Sequence, residues 1–205
     1  MIIFLKLIVL YWAPARYMLY CVFTVIILHS CEDKTDDDHI VDYGLVINEI
    51  NYNSSDNFNP NDWVEIYNNS SNTIDLGLWT IKDENDEHVF TIKSNTMIKS
   101  DQYIIFCRDT LKFTEFFPDV GSYYGDLGFG LSGNSDIVRL FDSNGSLVDI
   151  VEYDDNPPWP VAADGNGPTL ELRHPTLDNL NSKSWSPSEG YGTPGALNST
   201  YDGDL

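Results

Sequence analysis

Basic residues are scarce in this chain. Its 205 residues hold 11 Lys and Arg against 32 Asp and Glu, which gives a formal net charge of −21. Affinity for nucleic acids comes largely from Lys and Arg side chains that displace counterions from phosphates. The composition therefore predicts no nucleic-acid partner.

Cysteine is also rare. Cys21, Cys31 and Cys107 are too few and too far apart for a disulfide framework or a zinc cluster. Cys107 belongs to the apolar run 103–108, where a thiol behaves as a small hydrophobic side chain. We therefore expect no redox or metal chemistry from cysteine inside the domain.

The motifs of common active sites are missing as well. The histidines share no metal-binding spacing, and the sequence has no Gly-x-Ser-x-Gly nucleophile elbow. Glu49 and Glu65 are the one pair that could supply two carboxylates for glycoside hydrolysis. Glutamates on strands usually face solvent, so we expect these two to do so. The sequence predicts a protein that is not an enzyme.

The first 30 residues have the layout of an export signal. They contain no acidic residue, two basic residues, and an apolar run over 17–28 that is short for a membrane span. The run ends in Leu28-His29-Ser30-Cys31, which resembles the lipobox of bacterial lipoproteins. This predicts cleavage before Cys31 and lipidation of its thiol. The alternative is a signal retained as an anchor, which the further apolar stretch 1–10 favours.

An acidic stretch follows at once. Residues 32–38 include five acids and no apolar side chain, so they are expected to form a solvated spacer. The stretch also resembles the acidic export signal of some surface lipoproteins, and a plain linker is the alternative. The predicted location is the bacterial cell envelope, as an outer membrane lipoprotein exposed at the surface, with the membrane as a partner through the lipid.

Beyond the spacer, the sequence predicts short strands separated by turn residues. Eight strands are predicted, at residues 45–50, 63–68, 73–81, 88–92, 102–108, 137–141, 147–153 and 169–173. Residues 111–117 have some helical spacing, but Pro118 ends it, and we read them as irregular. This pattern predicts an all-β, antiparallel sandwich or barrel.

One hairpin can be assigned a register. A three-residue loop at 143–145 with a left-handed glycine would set Leu140 opposite Val148 and Arg139 opposite Asp149. The apolar side chains of Leu140 and Val148 would then face each other, and the opposite charges of Arg139 and Asp149 would be paired beside them. We expect this register.

The ordered motifs resemble the lamin tail domain family, an immunoglobulin-like module that also occurs in exported bacterial proteins. The matching stretches are Ile47-Asn48-Glu49-Ile50, Trp63-Val64-Glu65-Ile66-Tyr67-Asn68, Leu76-Gly77-Leu78-Trp79-Thr80, Leu131-Ser132-Gly133-Asn134-Ser135-Asp136, Asp164-Gly165-Asn166-Gly167-Pro168-Thr169-Leu170-Glu171 and Gly192-Thr193-Pro194-Gly195. The family usually has Ser-Gly where this chain has Gly77-Leu78, which we expect to shift a local bend.

The resemblance implies an immunoglobulin-like antiparallel β-sandwich of about eight strands. It supplies no catalytic residues and implies an interaction or scaffolding module. The expected organisation is a lipoprotein signal at 1–30, an acidic linker at 31–43, the lamin-tail-like domain at 44–198 and a tail at 199–205. An alternative is an accessory domain left from a larger surface enzyme.

Two ligand sites are further alternatives. Asp83, Asn85, Asp86 and Glu87 offer enough oxygen atoms for a calcium ion, although His88 stands where an EF-hand loop needs glycine. Trp159 and Trp185 offer rings for stacking on a sugar. Trp159 stands in a segment rich in Pro and Gly, where we expect it to pack as a plug. The expected partner is an unknown protein or glycan at the cell surface, with no cofactor other than this calcium.

Overall fold

The computed structural model describes residues 40–203, so the predicted signal and Cys31 lie outside the described part. The described elements are β1 (Leu45–Asn51), β2 (Trp63–Asn68), β3 (Ile74–Asp75), β4 (Thr80–Lys82), β5 (Val89–Thr91), β6 (Met97–Ile98), β7 (Tyr103–Cys107), α1 (Thr110–Phe116), β8 (Tyr123–Tyr124), β9 (Ser135–Phe141), β10 (Leu147–Asp154), β11 (Leu170–Leu172) and β12 (Trp185–Pro187). Two single turns of 3₁₀ helix lie at Val161–Ala163 and Ser182–Ser184.

The strands form two main sheets and a small ribbon. The six-stranded sheet has the order β12-β11-β1-β2-β7-β8, the four-stranded sheet β10-β9-β4-β5, and β3 pairs with β6. The pairing is antiparallel except between β7 and β8. This confirms the predicted all-β, immunoglobulin-like sandwich. The described strands number twelve rather than about eight, because one predicted strand is broken and three very short ones carry weak sequence signals.

Alternation along the strands produces the core. In β2, Val64 and Ile66 belong to the main buried cluster, which also contains Val138 and Leu140 of β9. Trp63, next to Val64 in the chain, points to the opposite face of the six-stranded sheet, since successive side chains of a strand alternate. This sheet is therefore covered on both faces.

A second apolar cluster lies on that outer face. It consists of Trp63, Ile105, Cys107 and Phe113, all fully buried. Two-sided burial explains why β7 reads as a continuous apolar run. Burial raises the pKa of the Cys107 thiol, so this cysteine is a packed side chain as expected.

Phe113 comes from the helix α1. We predicted an irregular segment here, and the structure corrects this to a helix of two turns. The Asp109 side chain caps it by accepting a hydrogen bond from the Lys112 amide at 2.9 Å. The helix is short, but burial of Phe113 stabilises it where local propensity alone would not.

The β9–β10 hairpin has the predicted loop but a different register. The loop 143–145 is closed as expected, with its glycine at a φ of 82°. However, Val148 is an extra residue in β10, so Leu140 pairs with Asp149 instead of Val148. This bulge lets Val148 and Val151 both enter the core, although strict alternation would put them on opposite faces.

A second bulge occurs in β1 at Asn48, between the pairs that Ile47 and Glu49 form with β2. The Ile47 amide donates instead to the Asp149 side chain, at 2.6 Å. Asn179 donates to the same carboxylate oxygen at 2.7 Å. The two bulges therefore meet, because the one in β10 turns Asp149 toward the backbone that the one in β1 leaves free.

The predicted strand 73–81 is broken by a tight turn. Between β3 and β4, Leu78 adopts a φ of 68°, the left-handed region that glycine prefers. Its amide donates to the Ile92 carbonyl at 2.9 Å, and its side chain is 59% exposed. The turn buries Leu76 and Trp79 on either side of it.

The sheet edges are short or interrupted. β8 has two residues, β5 has three, and β12 ends in Pro187, which has no amide proton to donate. Among the strands of residues 40–203, β10 is the one long edge, and it carries the bulge at Val148. The Val41 amide also donates to the Leu147 carbonyl at 2.8 Å, which occupies part of this edge.

Among residues 40–203, no helix has the length and apolar character needed to cross a membrane.

Candidate functional site

Three glutamates lie side by side across the six-stranded sheet. Glu49 of β1 pairs with Glu171 of β11 on one side and with Glu65 of β2 on the other. All three are fully buried. We expected Glu49 and Glu65 to face solvent, and that was wrong because residues 192–200 cover the outer face at this point. We call the three glutamates the carboxylate row and residues 192–200 the C-terminal strap.

Backbone amides of the C-terminal strap donate to each glutamate of the row. The pairs are Thr193 with Glu49 at 3.0 Å, Gly195 with Glu65 at 2.6 Å, and Thr200 with Glu171 at 3.0 Å. Ser199 and Thr200 also donate hydroxyl protons to Glu171, at 2.7 and 2.9 Å. The strap has no sheet partner of its own over the row, so these side chains satisfy its amides.

One hydroxyl lies between two carboxylates of the row. Thr193 Oγ1 is 2.8 Å from Glu171 Oε1 and 3.4 Å from Glu49 Oε2. A hydroxyl has one proton, which the shorter contact gives to Glu171. The contact to Glu49 is the weaker of the two, and Glu49 also accepts hydrogen bonds from the Thr169 hydroxyl at 2.5 Å and the Thr193 amide at 3.0 Å.

The electrostatics of the carboxylate row oppose ionisation of all three glutamates. Burial raises the pKa of Glu49 well above its usual range, and the neighbouring Glu65 raises it further. Burial also raises the pKa of Glu65 to about 8, although amide donors from Gly195 and Asn48 oppose the shift. Like charges this close in an apolar layer cannot all be ionised at low cost.

An asparagine pair fastens the end of the strap. Asn198 accepts a hydrogen bond from the Asn48 side chain at 2.7 Å and donates to the Leu172 carbonyl at 2.8 Å. Asn48 also donates to Glu65 at 2.8 Å. The bulged residue of β1 is thus shared between the carboxylate row and the strap.

A glycine lets the strap approach the row. Gly192 has a φ of 96°, and a Cβ atom there would lie 2.5 Å from Glu49 Oε1. The motif Gly192-Thr193-Pro194-Gly195 was the sequence signal for this contact, although on its own it did not indicate what the strap covers. The apolar character of β7 on both faces was a second signal, since it requires a covered outer face.

The carboxylate row cannot act on a substrate as it stands. A glycosidase needs two carboxyl groups flanking an open space, whereas Glu49 and Glu65 are closed off by the strap and hydrogen-bonded to it. The described arrangement instead stabilises the last segment of the sandwich.

The predicted calcium residues do not converge. Asp83 is buried, accepts a hydrogen bond from the Asn85 amide at 2.8 Å and lies 2.6 Å from His88 Nδ1. Asp86 points to Arg139, at 3.0 Å, and Glu87 is exposed. Within residues 40–203, no group of three or more His, Cys, Asp or Glu side chains is arranged to hold a metal ion.

The two tryptophans considered for sugar stacking are core residues. Trp159 and Trp185 lie 6.1 Å apart between ring centroids and are 9% and 3% exposed. The Trp185 indole donates to the Asn179 carbonyl at 2.9 Å. They form a packed pair inside the main cluster rather than an exposed platform.

An open recess lies beside the strap. Its walls carry rings from four segments, Tyr67 of β2, Tyr103 of β7, His174 after β11 and Tyr201 after the strap, and its volume is about 100 Å³. Asn48, Leu172 and Asn198 form part of its lining. We call it the tyrosine recess. It joins the edge of the covered outer face to solvent, and sequence reasoning missed it because its rings are far apart in the chain.

The family model for the lamin tail domain matches residues 42–155, which is more than half of the chain. No curated protein sequence matches the chain closely. The matched segment contains β1 to β10, while the C-terminal strap and the strand β11 that carries Glu171 lie beyond it.

Proposed function

The chain belongs to the lamin tail domain family, and from this membership we propose that it is a non-enzymatic interaction module tethered to a bacterial cell envelope by lipid on Cys31. An immunoglobulin-like fold of this family supports an interaction role. The tether is the finer part of the proposal and rests on the sequence before the domain.

The observation that carries the interaction role is the different use of the buried carboxylates and of the aromatic rings. Glu49 and Glu65 were the candidate pair for acid and base catalysis. Both carboxylates instead accept hydrogen bonds from the C-terminal strap. Aromatic ring faces are instead left at an open recess, which is the usual composition of a contact surface.

The tether is supported by residues 28–38. The lipobox-like Leu28-His29-Ser30-Cys31 is followed by an acidic spacer that contains a single basic residue, Lys34. A spacer between a lipid and a folded domain leaves the domain free to meet partners. We propose display at the outer surface of the outer membrane.

The lysine in the spacer allows a test of the tether and of surface display. Trypsin cleaves after Lys34, so intact cells treated with trypsin are expected to release a domain of nearly full size into the medium. Lys34→Gln, which removes this site alone, should abolish that release. Cys31→Ala should keep its signal and remain in the cell fraction. A periplasmic protein that stays intact shows that the cells did not leak.

Other results would contradict parts of this proposal. Release from Cys31→Ala cells equal to that from wild type would contradict the lipid tether. Protection of the wild-type domain in intact cells, with cleavage after lysis, would place it inside the envelope and contradict surface display.

A further inference from the structure

The rings of the tyrosine recess are arranged in two stacked pairs. Tyr67 and Tyr103 have centroids 4.7 Å apart with planes at 27°, and His174 and Tyr201 have centroids 5.2 Å apart with planes at 26°. One pair comes from the sheet and the other from the C-terminal segments. A group that enters the recess would therefore meet aromatic surface from both.

The polar atoms at the base of the recess are already engaged. Asn198 donates to the Asn48 and Leu172 carbonyls, at 3.1 and 2.8 Å, and Asn48 donates to Glu65 and Asn198. A sugar needs free donors and acceptors for its hydroxyls, and these amides are committed to the strap. Besides these amides, the recess offers a ligand its four rings and the Asn69 side chain.

A carboxylate lies beside these rings. The Tyr67 hydroxyl donates to Asp101 at 3.2 Å. Burial raises the pKa of Tyr103, with further contributions from Tyr67, Glu65 and Asp101, which keeps its phenol neutral.

Positive charge is absent from the recess lining, which has no Lys or Arg among the described residues. The adjacent Arg173 is held by Asp202. A chain with a net charge of −21 adds a long-range attraction for cations.

Aromatic faces beside carboxylates recognise ammonium groups, because the ring quadrupole presents negative charge on its face. We propose that the tyrosine recess binds the ammonium group of a lysine side chain presented by a partner protein. This inference rests on the proposed function as an interaction module and specifies the chemistry of its partner. The recess has room for the end of one such side chain rather than for a folded segment.

The test uses the full chain in a neutral maltoside detergent, with ¹³C-labelled tyrosine rings observed by NMR. The probe is Nα-acetyl-lysine methylamide, and its matched control is the norleucine analogue, which has no charge. The lysine probe should shift the resonances of Tyr67, Tyr103 and Tyr201 and bind about tenfold more tightly than the norleucine analogue.

Three variants locate the site. Tyr201→Ala should weaken binding of the lysine probe about tenfold, and Asp101→Asn should weaken it about threefold, since Asn keeps the contact to Tyr67 without the charge. Tyr191→Ala is the matched control, because Tyr191 is similarly exposed and does not line the recess. It should leave the affinity unchanged.

Three outcomes would overturn the inference. The first is that the norleucine analogue binds as tightly as lysine, which would make the recess merely apolar. The second is that choline binds at least tenfold more tightly than the lysine probe, which would point to a lipid headgroup. The third is that neither the lysine probe nor the norleucine analogue shifts the resonances of the recess tyrosines. None of these readouts depends on where the cell places the protein, so the trypsin experiment remains an independent test of the tether.

Discussion

At the scale of single residues, the two most informative positions are those where a residue has a conformation or an environment that its type disfavours. Leu78 occupies a left-handed conformation with an exposed side chain, and it stands where the family usually has glycine. Asp149 is a half-buried acid within the strand β10, and two buried residues donate hydrogen bonds to it.

Replacing Leu78 by glycine is expected to stabilise the protein. A left-handed conformation costs a residue with a Cβ atom roughly 1 kcal/mol, and little packing is lost because the side chain is exposed. Leu78→Gly should raise the free energy of unfolding by about 1 kcal/mol in urea titrations. Leu78→Ala keeps the Cβ atom and is the control. An equal gain in both variants would mean that removing the exposed side chain was the cause.

Replacing Asp149 by alanine should be strongly destabilising. The change leaves the Ile47 amide and the Asn179 side chain without their acceptor in a buried layer, at a cost of about 2–4 kcal/mol. Hydrogen exchange should show faster exchange at the Ile47 amide. Glu152→Ala, on the same strand but exposed, should change the stability by less than about 0.5 kcal/mol. Unchanged protection of the Ile47 amide would contradict this account of the two bulges.

At the scale of elements, the C-terminal strap is the part held by titratable groups. Burial raises the pKa of Glu65 to about 8, while an unfolded glutamate titrates near ~4.3. The folded state therefore binds more protons than the unfolded state between these values. The stabilising contribution is fully present below the unfolded pKa and is lost as the pH rises through the folded pKa.

The free energy of unfolding should accordingly fall as the pH is raised from about 5 to about 9. Asp149, whose pKa burial raises to about 7, contributes in the same direction. Glu65→Gln should flatten this slope, whatever its effect on the absolute stability. Glu152→Gln removes the same charge from an exposed site and should keep the wild-type slope. A wild-type stability that rises over this range would contradict the assignment of Glu65.

The elements also show what sequence patterns can predict. The strand β2 was predicted with its observed bounds, because Trp63-Val64-Glu65-Ile66-Tyr67-Asn68 is rich in β-branched and aromatic residues and lies between turn residues. The pattern could not show that the outer face is covered, since that depends on a segment more than 100 residues away. The β9–β10 register failed for a related reason. The tertiary contacts of Asp149 determine where the bulge lies, and those contacts cannot be derived from local pairing preferences.

At the scale of the whole molecule, the folded unit is longer than the segment that matches the family. β11 pairs with β1 in the middle of the larger sheet, and Trp159 and Trp185 both belong to the main core. The strap then closes the outer face. A chain that ends at the matched boundary would expose one side of β1 and a large apolar area.

We therefore expect a chain ending at Asp155 to lack a cooperative unfolding transition in circular dichroism melts. A chain ending at Gly203 retains every described contact and should melt like the full chain. A cooperative transition in the shorter chain would mean that β1 finds another partner and that the later strands are accessory.

The interrupted sheet edges bear on crowding. Under the proposed tether, molecules on one surface would reach high local concentrations, where long unpaired strand edges would join neighbours into fibrils. Here Pro187, the bulge at Val148 and the brevity of β5 and β8 leave no long, regular edge among the described strands. With 32 acidic side chains per molecule, neighbours also repel one another. The sandwich is thus built to be packed densely without polymerising.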